Sequence, residues 1–121
     1  MRTAAIQLEM FAPPALPQQS VLTVMRPHRW AHMPMSEVEL AEITVEAYEG
    51  RWMWSVWICS RNGASQGYKP FPKWGKFADS RPEAIIKAAD EMRDILHRLT
   101  ADEQVRVTEW LGNILSMAQY H

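Results

Sequence analysis

Apolar residues crowd both parities of residues 51–59, RWMWSVWIC, more densely than anywhere else in the chain. At period two, Trp52, Trp54, Val56 and Ile58 fall on one face and Met53, Trp57 and Cys59 on the other, with only Ser55 between them. A strand apolar on both faces needs partners on either edge and a layer over at least one side. Residues 37–49 alternate before it, with Ile43, Val45 and Ala47 on one face and Glu42, Thr44, Glu46 and Tyr48 on the other. They predict a strand with a solvated acidic face that turns at Glu49 and Gly50 into the tryptophan strand as a hairpin. Residues 60–67, with Asn62-Gly63 and Gly67, predict a loop. Residues 68–77 predict a third, irregular strand on an edge, because Pro70 and Pro72 share a parity and their missing donors would face one side.

Two helical patterns follow. Ser80 stands as an N-cap with Glu83 as its capping-box partner and Pro82 in the first turn. Ile85, Ala88, Ala89, Met92, Ile95, Leu96 and Leu99 then recur at helical spacing, and the small pair Ala88-Ala89 allows close approach to Trp52 or Trp54. Thr100 and Glu103 repeat the capping logic for a second helix running to about Ala118. Its apolar set, Val105, Val107, Trp110, Leu111, Ile114, Leu115 and Met117, is wider than one side of a small sheet needs. Part of it, with Trp110, is therefore a candidate partner surface, a homodimer contact included. The expected fold is α+β: a three-stranded antiparallel meander followed by two helices (βββαα), in a domain spanning residues 37–121.

Residues 1–36 differ in kind, holding five of the eight prolines. They predict an extended, Pro-rich N-terminal arm outside the main core, with at most a short strand at residues 20–25. A chain of 121 residues with a 47% hydrophobic fraction and six tryptophans is a folded single domain. Its net charge of -1 argues against binding nucleic acid through overall charge, though a local patch remains open. One cysteine excludes an internal disulfide. With no signal-peptide pattern and no run long enough to span a membrane, a cytoplasmic location is expected.

Candidate chemistry is sparse. Cys59 lies in the most apolar strand, where a thiol is inert; His97 falls on a charged helix face; the carboxylates are spread along solvated faces. His28 and His32, four residues apart beside Arg26, Arg29 and Trp30, lack an acidic or Cys partner and read as an exposed loop. No catalytic set, metal site or cofactor is expected. Two surfaces stand out instead. Glu37, Glu39, Glu42, Glu46 and Glu49 form an acidic run without an intervening Lys or Arg, either a soluble strand face or a surface that mimics nucleic acid or meets a basic partner. Between residues 61 and 81, Arg61, Lys69, Lys73, Lys76 and Arg81 interleave with Tyr68, Phe71, Trp74 and Phe77. That mixture suits single-stranded nucleic acid, or equally an aromatic edge packed under a helix and kept soluble by lysines.

Residues 7–11, Gln-Leu-Glu-Met-Phe, resemble the peptide by which bacterial replication and repair proteins hold the DNA polymerase sliding clamp. The resemblance implies Gln7 as polar anchor, Leu8 as a minor contact, and Met10 with Phe11 as apolar plugs; Met10 replaces the commoner Leu. The alternative is an arm that folds back on its own domain. In outline, the size, tryptophan-rich hairpin and tail peptide resemble small accessory proteins of phages and conjugative elements. That likeness implies a non-enzymatic binder acting on host nucleic-acid machinery in a bacterial cytoplasm. Its target would be a sliding clamp, or a defence nucleoprotein complex as for anti-CRISPR inhibitors, engaged through Glu42, Glu46 and Trp110. The alternative is a nucleic-acid-binding accessory protein using Arg61, Lys69, Lys73, Trp74 and Lys76. The tryptophans of residues 52–57 are expected in the core; exposure of Trp57 on the uncovered face would make that face the leading site.

Overall fold

The structure, a computed structural model, describes residues 19–118. The clamp-like peptide at residues 7–11 therefore lies outside the described residues. Strands β1 (Gln19–His28), β2 (Ser36–Tyr48) and β3 (Arg51–Cys59) form an antiparallel sheet in that order. Two short pieces, β4 (Ser65–Gly67) and β5 (Phe77–Ala78), pair with the far edge of β3. Helices α1 (Arg81–Arg93) and α2 (Ala101–Ala118) follow. The chain is thus α+β as expected, but its third long strand is β1, at residues the sequence placed in the arm with at most a short strand at 20–25.

This strand, and the course of residues 68–77, each have a physical cause. Val21, Thr23 and Val24 favour extended backbone, and Pro27 is tolerated because β1 is an edge strand bonded on one side only. Residues 68–77 do not form the expected strand. Pro72 opens a 3-10 turn, Pro72–Trp74, that Gly75 closes in the left-handed region at φ 68, and pairing with β3 resumes only at Phe77. The β2–β3 hairpin turns where predicted, with positive φ at Glu49 and Gly50 as a type I′ turn requires.

One sheet face carries the core. Leu22, Ile43 and Val56 form one transverse row, and Val24, Ala41 and Ile58 the next. A bulge between Val24 and Met25 lets Leu40 and Ala41 both turn inward, each fully buried. Against these rows α1 lays Ala84, Ile85, Ala88, Ala89 and Met92, and α2 adds Val107 and Leu111. Burying Ile85 or Met92 contributes about 2 kcal/mol each, while the alanines set the close approach. The capping signals hold in part. Ser80 Oγ accepts from the Glu83 amide at 3.2 Å, but the Glu83 carboxylate turns to Lys87 instead of closing the box. α1 stops at Arg93, earlier than its apolar period implies, and a 3-10 turn at Leu96–Arg98 brings Leu99 back into the core. No helix among the described residues is long and apolar enough to cross a membrane.

Candidate functional site

The hairpin register decides what the other sheet face presents. Gln19, Glu46, Met53 and Phe77 form one transverse row, and Thr23, Glu42, Trp57 and Gly67 form another. Between them lies a row of smaller side chains, Val21, Thr44 and Ser55. Across β2 and β3, the short Thr44 and Ser55 lie between Glu46 and Met53 on one side and Glu42 and Trp57 on the other, which makes a trough. Its deeper end is a cavity of about 240 Å³ lined by Glu42, Thr44, Ser55, Trp57, Gly67 and Lys69, with Tyr68 beside them. Trp57 is half-buried there and forms a wall, so this tryptophan does not belong to the core under the helices.

The floor and rim are polar. Ser55 is 2% exposed and Thr44 5%, and neither hydroxyl has a hydrogen-bond partner among the described residues. Glu42 keeps 17% of its side chain exposed, with the Lys69 ammonium 4.0 Å away on a side chain that is 75% exposed. Glu46 accepts from Gln19 Nε2 at 2.7 Å. Gly67 is required under the indole, since a Cβ there would lie 2.7 Å from Trp57 Cα.

Two carboxylates hold the segments around this face. Glu91 of α1 accepts from Trp54 Nε1 at 3.1 Å, Tyr68 Oη at 2.6 Å and Lys76 Nζ at 2.8 Å. Burial pushes the Glu91 carboxyl up, but these donors together hold it below the ordinary carboxylate range. Burial, and then the Glu91 bond and charge, push the Tyr68 phenol up, so it remains a donor. Glu103 is buried at the start of α2 and accepts from Ser60 Oγ at 2.6 Å and from the Arg61 and Thr100 amides at 3.0 Å. Burial again opposes its ionisation, and these bonds overcome it, so Glu103 also lies below the ordinary range. The predicted capping residue thus also fastens the β3–β4 loop to α2.

The sequence-derived candidates are distributed as follows. Glu42 and Glu46 share the sheet face turned away from the helices, four residues apart along β2 with Thr44 between them. Trp110 is half-buried against the core cluster, away from both. In the basic, aromatic segment, Arg61 is held by Asp102 at 2.6 Å and Lys76 by Glu91. Lys69 sits over Glu42, and Lys73 lies 5.8 Å from the Phe71 ring centroid and 4.9 Å from that of Trp74. Phe71 and Trp74 are about half exposed, at 51% and 47%. Cys59 is half-buried, and the buried Arg26 donates to its carbonyl at 2.8 Å. His28 meets Arg26 and Trp30, with no group of three metal-ligating side chains among the described residues.

Thr44 and Ser55 do not stand out as site residues in the sequence, and Trp57 enters there only as the residue whose exposure would shift the leading site to this face. The signal was present, because a two-residue turn at Glu49 and Gly50 sets Thr44 opposite Ser55 and Glu42 opposite Trp57. The hydroxyl floor, indole wall and carboxylate rim can hold a group that is flat or cationic and rich in donors. Compared with known protein families, curated proteins and solved structures, the chain gives no match.

Proposed function

We propose that this chain is a non-enzymatic binding protein that acts on bacterial nucleic-acid machinery by docking on a protein partner. The observation that supports it is the sheet face carrying Glu42 and Glu46 on either side of a polar trough, on strands fixed by a tight hairpin. Fixed negative charge beside an indole favours a basic protein surface over a nucleic acid. The peptide at residues 7–11 supplies a second contact, to a sliding clamp. Seven residues, three of them proline, separate Phe11 from the first residue of β1. Extended, that connection spans at most about 29 Å.

Retention of a purified bacterial sliding clamp on the immobilised full chain tests this contact. Met10→Ala with Phe11→Ala removes both apolar plugs, so retention is lost while the melting temperature stays the same. Retention by the double variant, or none by the parent chain, refutes the clamp contact.

The alternative is a nucleic-acid-binding protein using the segment at residues 61–81, and one feature favours it: Phe71 and Trp74 are half exposed with Lys73 beside both rings. Arg61 and Lys76, each already neutralised by a carboxylate, weaken it. Binding of an oligothymidine that falls steeply with salt and is lost with Lys73→Ala supports that alternative.

A further inference from the structure

We propose that the cavity between Glu42, Trp57 and the Thr44-Ser55 floor is a pocket for one cationic side chain, an arginine or a lysine, of a partner's basic segment. This rests on the reading that the acidic face meets a protein, and it names the chemistry the face selects. Ser55 and Thr44 are more than nine-tenths buried and lack partners among the described residues, although buried hydroxyls are nearly always bonded. Both line the cavity, which is several water volumes in size. A guanidinium has five donors in a planar fork and accepts none, so it can give to the Glu42 carboxylate and to hydroxyl lone pairs together. Its flat face stacks on an indole, and Trp57 supplies one at the wall.

Lys69 marks the charge that the site selects. Its ammonium lies 4.0 Å from Glu42 on a side chain that is 75% exposed, so it is a loosely held internal cation that an incoming one can displace. Gly67 keeps the wall in place, because the backbone of β4 lies directly against Trp57. The pocket is therefore shaped before the partner arrives, and ordering it costs little.

The test is binding of a fluorescein-labelled hexa-arginine peptide to the full chain, read by anisotropy at low salt, with hexa-glutamate and oligothymidine as controls. Hexa-arginine binds, and the controls bind more weakly. Glu42→Gln weakens it about tenfold. Ser55→Val fills the floor and weakens it as well. Lys69→Gln removes the internal competitor and tightens it about two- to fivefold, whereas a nucleic-acid site at this lysine would be weakened. Glu37→Gln with Glu39→Gln, on the same strand but outside the cavity, leaves affinity unchanged. An unchanged Glu42→Gln protein or a weakened Lys69→Gln protein overturns the pocket. Dependence on Glu37 and Glu39 equal to that on Glu42 also overturns it, while leaving a diffuse acidic face in place. Clamp retention through Met10 and Phe11 is read separately, so its failure is distinct from failure of the pocket.

Discussion

Replacing Glu103 with Ala tests how the β3–β4 loop is fastened to the helical layer. Glu103 is 2% exposed and its carboxylate receives three donors: Ser60 Oγ at 2.6 Å, the Arg61 amide at 3.0 Å and the Thr100 amide at 3.0 Å. Truncation leaves the buried Ser60 O–H without an acceptor, although Ser60 Oγ still accepts from the Asn62 amide at 3.1 Å, at a cost of about 2 kcal/mol. It also removes the capping contact to Thr100, worth about 1 kcal/mol, and the Arg61 contact, worth about 1 kcal/mol because water reaches that exposed residue. The expected loss of about 4 kcal/mol is a large part of the 5–15 kcal/mol typical of a domain. At about 5 °C per kcal/mol for a domain near this size, Glu103→Ala should melt about 20 °C below the parent by calorimetry. Glu103→Gln keeps the acceptor for Ser60 and Thr100 but sets an amide donor against the Arg61 N–H, and should lose about half as much. The neighbouring pair is the control: Arg61 and Asp102 meet at 2.6 Å but are 55% and 61% exposed, so Asp102→Ala should melt close to the parent. A Glu103→Ala protein melting within about 5 °C of the parent would refute the assignment of this carboxylate as the anchor.

The remaining predictions concern caps, packing and pH. Ser80→Ala removes the side-chain acceptor at the start of α1 and should cost about 1 kcal/mol, or about 5 °C in melting temperature. Gly67→Ala brings a Cβ within 2.7 Å of Trp57 Cα, which should cost about 1–3 kcal/mol in chemical denaturation and weaken hexa-arginine binding by tilting the indole. Glu91 and Glu103 are held below their ordinary value of 4.5, so the folded state binds protons less readily than the unfolded chain. Their contribution is present above pH 4.5 and lost as the pH falls through their lowered values. Glu91→Gln with Glu103→Gln should therefore flatten the acid limb of a melting-temperature profile.

Much of the scaffold is written in local pattern. Alternation in residues 37–48, the Glu49-Gly50 turn and the double parity of residues 51–59 determine the β2–β3 hairpin and, through its register, which side chains share a row. Ser80 with Pro82, and Thr100 with Glu103, determine where the helices begin, because capping acts within one turn. Glu42 and Glu46 could be named as one acidic face for the same reason: period two acts over adjacent residues.

What only the tertiary structure decided depends on partners distant in sequence. The edge strand Gln19–His28 forms because β2 offers it a bonding edge, whereas the prolines of residues 1–36, read alone, argued for an arm. Residues 68–77 lost their strand to Pro72 and Gly75 and are held instead by Glu91, a residue of α1 that no local pattern connects to Tyr68. The helices chose which face of the tryptophan strand to cover, burying the row of Trp54 and leaving that of Trp57. Lys69 then came to lie over Glu42 only because β4 folds back beside Trp57. Long-range pairing thus turned a strand face legible as acidic into a trough with a floor, a wall and a resident cation.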